Sequence, residues 1–295
     1  MSAQFTVSPP GHRLPDAATL GSVRLQISDL NRSIAFYETV LGLRVLERSA
    51  HTALLGAQGD SEPLVALHEL TGAAAVPRGG RLGLFHFALL LPDRASLGSF
   101  LAHVSEMGLH VGAADHLVSE ALYLSDPDGL GIEVYADRPR ESWRMDGATL
   151  AMGTDPLDMD SLLAAAHDTP WQGAPSGTRI GHVHLRVSDL AQAERFFHNG
   201  VGFDRIVLGY PGALFMSAGG YHHHLGTNTW AARAPAAVES DARLLEWTLI
   251  VPSSDDVTAV GKSIGDAGFE TANSGADVTA SDPWGTGLRV TSATR

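Results

Sequence analysis

Residues 20–46 read LGSVRLQISDLNRSIAFYETVLGLRVL, and residues 180–207 read IGHVHLRVSDLAQAERFFHNGVGFDRIV. The two stretches coincide at an offset of 160: Val23 with Val183, Leu25 with Leu185, Asp29 with Asp189, Phe36 with Phe196 and Gly42 with Gly202. The same offset carries Leu89 onto Leu249, Pro92 onto Pro252 and Gly108 onto Gly268. It becomes 156 where Asp126-Pro127 meets Asp282-Pro283 and Gly129 meets Gly285. Self-similarity at a fixed period marks a repeat architecture, so the two halves of the chain are copies.

Each half divides again. Val23-Arg24-Leu25-Gln26-Ile27 alternates as a strand. Asp29 is placed to cap a helix whose apolar residues are Ile34, Phe36, Tyr37 and Leu41, and Gly42 ends it in the C′ role. Strands follow around Arg44–Arg48, Ala53–Leu55 and Pro63–Leu70. A second unit opens with the strand Phe85–Leu91, continues with a helix between Asp93 and Gly108, and closes with strands up to Tyr135. Four βαβββ units result, over residues 19–72, 83–137, 179–232 and 243–293. An N-terminal tail (1–18) and a linker (138–178) lie outside them. The linker carries Pro139, Pro156, Pro170 and Pro175, a short helix expected over Pro156–His167, and Trp143 and Trp171, which are expected to pack on domain surfaces. The fold class is α+β, with the units paired as 19–137 and 179–295.

Composition bounds the function. The 295 residues are 44% hydrophobic and 18% charged, enough apolar material to bury a core and too much for a disordered chain. Twenty Lys+Arg against 33 Asp+Glu give a net charge of −13, which repels a phosphate backbone and sets nucleic acid aside as a partner. No window approaches the ~20 apolar residues of a membrane span, and the first residues lack the basic-then-apolar pattern of a secretory signal, so the expected setting is the cytoplasm. Cysteine is absent and histidine numbers 14. Any metal site must therefore use histidines and carboxylates.

Four tandem βαβββ units resemble the vicinal oxygen chelate superfamily. That resemblance implies glyoxalase- and extradiol-dioxygenase-like domains in which the first and last strands of each unit hold the metal ligands. Unit one offers Ser22, with His68 nearby; unit two offers His86 and Glu133; unit three offers His182 and the run His222-His223-His224; unit four offers Glu246 and Arg289. His86, Glu133 and His182 make a 2-His-1-carboxylate set, which suits Fe(II) or Mn(II). Their repeat counterparts are Glu246, Arg289 and Ser22, so the shared scaffold does not require them. Any one of the three alone would read as an ordinary packed strand residue.

Unit two carries a longer match. From His116 through Tyr123 and Asp126-Pro127-Asp128-Gly129 to Glu133, it resembles the signature of type I extradiol ring-cleavage dioxygenases, with Ala114 as the one departing position. GHVHLRVSDL (181–190), GGYHHHLGTNTW (219–230) and SDPDGLGIEVYADRP (125–139) resemble the bacillary catechol-2,3-dioxygenase branch. The resemblance implies ring cleavage of a catechol by O2, with Fe(II) (or Mn(II)) held by His86, Glu133 and His182. It implies His223 as the acid–base histidine on the last strand of unit three, and His116 and Tyr123 as hydrogen-bonding partners of the substrate. Strand alternation sets His222 and His224 on the face opposite His223. His184, on the same strand face as His182, reads equally as a site neighbour or a packing residue.

The order of units departs from the familiar one, in which the lone-His unit precedes the Glu unit. One site then requires units two and three to pair across the linker. Conventional pairing would leave His182, one of His222–His224 and Glu246 as a rival triad. Other functions open to this scaffold are a four-ligand glyoxalase-like isomerase or lyase, a hydroquinone-cleaving enzyme and a protein that sequesters a small molecule without chemistry. Ring substituents and the choice between monomer and homo-oligomer are left open.

Overall fold

A computed structural model describes residues 6–147, 149–167 and 169–293; the first five residues of the expected tail, linker residues 148 and 168, and residues 294–295 after unit four lie outside the described residues. Four βαβββ units are present. Unit one comprises β1 (Thr19–Ile27), α1 (Leu30–Thr39), β2 (Arg44–Arg48), β3 (Thr52–Gly56) and β4 (Val65–Glu69). Unit two comprises β5 (Gly83–Leu90), α2 (Arg94–Glu106), β6 (Gly112–Asp115), β7 (Ser119–Ser125) and β8 (Gly131–Asp137). The linker holds a short ribbon, β9 (Met145–Asp146) with β10 (Thr149–Leu150), and α3 (Met159–Ala165). Unit three comprises β11 (Arg179–Arg186), α4 (Leu190–Ala193), which runs on as a π-helical stretch Glu194–Val201, and β12 (Asp204–Val207), β13 (Ala213–Ser217) and β14 (Leu225–Asn228). Unit four comprises β15 (Arg243–Val251), α5 (Ser254–Asp266), β16 (Thr271–Ser274), β17 (Asp277–Ser281) and β18 (Gly287–Ser292).

The repeated residues turn out to be caps. Asp29 and Asp189 each accept the backbone N–H three residues on, Arg32 and Gln192, at 2.9 Å. Asp93 does the same for Ser96 at 2.7 Å, and Ser253 forms a capping box with Asp256. Each satisfies an orphan N–H and is worth about 1 kcal/mol. The C-terminal expectation needs a correction: α1 closes at Val40, so Gly42 lies beyond the C′ position. Its φ of +67° favours glycine, and a Cβ there would stand 2.3 Å from the Gly173 Cα of the linker. The linker helix is also shorter than Pro156–His167, because Asp158 caps it onto Ser161.

Pairing joins units across the copies. One eight-stranded sheet runs β16-β17-β18-β15-β1-β4-β3-β2 and is built by units one and four. The other runs β12-β13-β14-β11-β5-β8-β7-β6 and is built by units two and three. In the second sheet the two first strands pair antiparallel, with His184 opposite His86 and His182 opposite Ala88. β5 runs parallel to β8, which sets Ala88 beside Glu133. Strand parity then separates the faces. Phe87, Leu89, Val183 and Leu185 enter the main hydrophobic cluster, whereas Ala88, Leu90, Ala121 and Tyr135 form a small cluster of their own on the face that carries His86 and Glu133.

The N-terminal segment is not a loose tail from Thr6 onward. Val7 bridges Arg205, Leu14 is buried and donates its N–H to Gly202, and Arg13 pairs with Asp204. Trp171 packs on Phe100, and Trp143 on Arg140 and His222. No helix among the described residues is long and apolar enough to cross a membrane.

Candidate metal centre and its cavity

His86, Glu133 and His182 come from three neighbouring strands, β5, β8 and β11, and all three side chains are buried. His182 Nε2 stands 3.1 Å from Glu133 Oε2 and 3.3 Å from His86 Nε2, and His86 Nε2 stands 3.0 Å from the same Glu133 oxygen. Two bonds of about 2.1 Å at right angles would separate their donors by about 3 Å, so this spacing matches one face of an octahedral ion. Burial pushes the Glu133 carboxyl up, but the charges and hydrogen bonds of His182 and His86 outweigh it and hold the group well below the usual carboxylate range. Burial draws His182 down to about 4 against the pull of Glu133. A carboxylate and imidazole lone pairs aimed at one point repel unless a cation lies among them. The donor set and its spacing thus fit a divalent metal.

The orientation of His182 rests on packing, because its Nδ1 is buried without a hydrogen-bond partner among the described residues. Its ring lies 4.9 Å from Tyr135 and 4.1 Å from His223, centroid to centroid. Gly181 makes room for Tyr135: a Cβ at that position would stand 1.9 Å from the Tyr135 hydroxyl oxygen.

A cavity of about 230 Å³ opens beside this group, lined by His86, Glu133, His116, Tyr123 and His223. It lies below the ~300–1,000 Å³ of drug-sized ligand sites and suits a single small ring. Its remaining walls include Phe85, Met152, Tyr210, Phe215 and Trp230. His116 Nδ1 donates to the Gly153 carbonyl at 2.7 Å, and its Nε2 stands 2.6 Å from the Tyr123 hydroxyl. Burial first, and the Glu133 charge next, raise the Tyr123 phenol well above its ordinary range. Burial, with the neighbouring histidines, holds His223 well below the usual histidine range.

The histidine run departs from expectation in one respect. His222, His223 and His224 precede β14 rather than lie within it, so hydrogen bonds, not alternation, orient the rings. His223 lines the cavity. His222 binds Asp137 at 2.9 Å, and His224 Nδ1 accepts the Ala218 N–H and borders a separate cavity. His184 lines the cavity as well, hydrogen-bonded to Asn228 at 3.0 Å. The residues of the rival triad are not together: Glu246 lies in the other sheet, bound by Arg289 at 2.9 Å. His68, too, lies in that sheet, on β4.

Sequence reasoning missed the part the linker plays. Met152, Gly153 and Thr154 form one wall of the cavity, yet no periodicity or motif marks them. Phe215 on β13, opposite in parity to the core residue Met216, carried a usable signal; Phe85 did not, because a register shift between β5 and β11 falls at it and sets it on the cavity beside His86.

Comparison with known proteins is decisive on kinship. A family model described as the glyoxalase/bleomycin resistance protein/dioxygenase superfamily matches residues 19–134 and 179–285. The chain belongs to that superfamily. Among known proteins, a catechol-2,3-dioxygenase of Bacillus subtilis (strain 168) is 45% identical over 262 residues, covering 86% of this chain and 91% of the relative. A crystal structure of a Bacillus subtilis protein assigned as a dioxygenase superposes with a TM-score of 0.66 at 11% identity, covering 96% of this chain and 87% of that one. A glyoxalase I variant of Zea mays superposes with a TM-score of 0.59 at 14% identity, covering 94% of each chain. At such identities the superfamily structures speak for the fold alone.

Proposed function

We propose that this protein is an extradiol dioxygenase that cleaves a catechol-type ring with O2, using Fe(II) or Mn(II) and yielding a 2-hydroxymuconic semialdehyde into which both oxygen atoms enter. One observation carries the reading. The cavity joins a 2-His-1-carboxylate group to three further protic side chains, His116, Tyr123 and His223, that are not needed to hold a metal. The 45% identity to a catechol-2,3-dioxygenase supports it. A cytoplasmic setting for a chain without cysteine belongs to the same reading.

His86, Glu133 and His182 would hold the ion. When bound, it would supply open positions for two vicinal oxygens and for O2, and a path for electron density between them. The rest falls to the chain. Phe85, Phe215 and Trp230 enclose an aromatic ring and exclude water from it. His223, at the cavity wall, takes the proton that a catechol hydroxyl loses and returns one to the product. Tyr123, anchored through His116 to the linker, offers its hydroxyl oxygen to the second substrate oxygen.

A glyoxalase-like isomerase would call for a fourth protein donor. The metal-capable group among the described residues has three, which favours ring cleavage. The test is O2 uptake and yellow product formation from catechol by protein loaded anaerobically with Fe(II). A loaded protein that consumes no O2 with any catechol would refute the proposal.

A further inference from the structure

Behind His223 runs a chain of hydrogen bonds that the metal group does not use. His223 Nδ1 lies 2.8 Å from His222 Nδ1. His222 Nε2 lies 2.9 Å from Asp137 Oδ1, and the same oxygen accepts the Tyr221 hydroxyl at 3.1 Å. Tyr221 in turn accepts the Tyr135 hydroxyl at 2.7 Å. His222 is wholly buried, while Asp137 borders a second cavity of about 680 Å³ that none of His86, Glu133 and His182 lines.

The polarity of these bonds can be read off in order. The Asp137 carboxylate oxygen only accepts, so His222 Nε2 carries a proton. If His222 carries only that proton, its lone pair is at Nδ1 and the proton shared between the two Nδ1 atoms belongs to His223. A neutral His223 with Nδ1 protonated has its lone pair at Nε2. Among the described residues that nitrogen has no hydrogen-bond partner, and the ring it belongs to lines the cavity.

We infer that His222 and Asp137 are positioning residues that fix the tautomer of His223, holding its Nε2 free to accept a proton from the substrate. The inference rests on the dioxygenase reading for what that lone pair does, but the tautomer itself is a property of the protein. The logic is that of a buried acid holding a catalytic imidazole in one tautomer through its far nitrogen, here with a second imidazole interposed. Without His222, the buried Nδ1–H of His223 loses its acceptor, and the opposite tautomer presents a proton to the cavity instead of a lone pair.

The experiment has two arms. In the first, 15N NMR of the full chain labelled at histidine, metal-free and loaded with diamagnetic Zn(II), is expected to show His223 unprotonated at Nε2 and protonated at Nδ1. A proton on Nε2 in the wild type overturns the inference. In the second, His222→Leu is expected to lower kcat about 10- to 100-fold, short of the 10²–10⁴-fold that a general base is worth, with KM and metal content unchanged. His222→Asn, whose amide oxygen can stand where Nδ1 stood, is expected to recover most of the loss. Full activity in His222→Leu, or equal impairment in His222→Asn, also overturns it. If wild-type protein fails to cleave catechol, the dioxygenase reading falls, and the 15N arm still decides the tautomer.

Discussion

His86 and His182 lie 96 residues apart in sequence, yet their Nε2 atoms stand 3.3 Å apart across two antiparallel first strands. This pairing of unit two with unit three brings each donor of the proposed metal group into one sheet.

Removing any donor of that group should remove the ion. His86→Ala, Glu133→Ala and His182→Ala are each expected to lose bound Fe(II) or Mn(II), measured by elemental analysis after gel filtration. Glu246→Ala is expected to keep it, because Glu246 serves an ion pair with Arg289 in the other sheet. Retained metal in Glu133→Ala alongside loss in Glu246→Ala would reverse the assignment.

The protic residues should separate by role. His223→Ala is expected to retain metal and anaerobic catechol binding while turnover falls about 10²–10⁴-fold. Tyr123→Phe and His116→Ala are expected to lose less, since each supplies a hydrogen bond rather than the moving proton. Steady-state product formation and metal content, measured together for each variant, check this ranking.

The linker wall should govern which rings fit. Met152→Ala opens a cavity of about 230 Å³ on its linker side. The ratio of kcat/KM for an alkyl-substituted catechol over catechol itself is expected to rise about 10-fold, the scale on which an apolar pocket discriminates. An unchanged ratio would mean that substituents point elsewhere.

Stability should carry a signature of the turn between β7 and β8. Asp126 accepts the backbone N–H groups of Asp128 and Leu130 at 2.9 Å. Burial, with the neighbouring Asp128 charge, raises its pKa from 3.8 to about 7 against those hydrogen bonds. A carboxyl raised on folding contributes its full stability below the unfolded value and loses it as pH climbs through the folded one. The thermal midpoint is therefore expected to fall between about pH 4 and pH 7, by roughly 2–4 °C per kcal/mol. Asp126→Asn keeps an acceptor oxygen and should flatten this slope; an identical slope in the variant would exclude Asp126 as its source.

Much of the architecture was legible because its signals are local. The capping aspartates Asp29, Asp93 and Asp189 and the alternation along β5 and β11 mark elements by residue type alone. The Asp126-Pro127-Asp128-Gly129 segment was legible in another sense. Its counterpart Asp282 accepts the N–H groups of Trp284 and Thr286 in the same manner, so this part of the ring-cleavage signature is scaffold common to both copies, whereas His116 and Tyr123 belong to unit two alone. What stayed hidden depends on long-range placement. Gly153 contributes a carbonyl, which every residue has, and Met152 and Thr154 carry no pattern. The orientation of the His222–His224 run was not reachable by parity, because the run lies outside β14, and His222 is held by Asp137, a residue 85 positions away whose role no spacing announces.

The interleaving of units also sets an order of events during synthesis. Strand β1, made early, finds its antiparallel partner only in β15, with Thr19 meeting Ile250. Units two and three emerge consecutively and can close their own sheet first. As the chain leaves the ribosome, the sheet with the proposed metal group can be complete while the other still exposes a long unpaired edge. That interval is when this protein is most open to edge-to-edge aggregation and most in need of a chaperone.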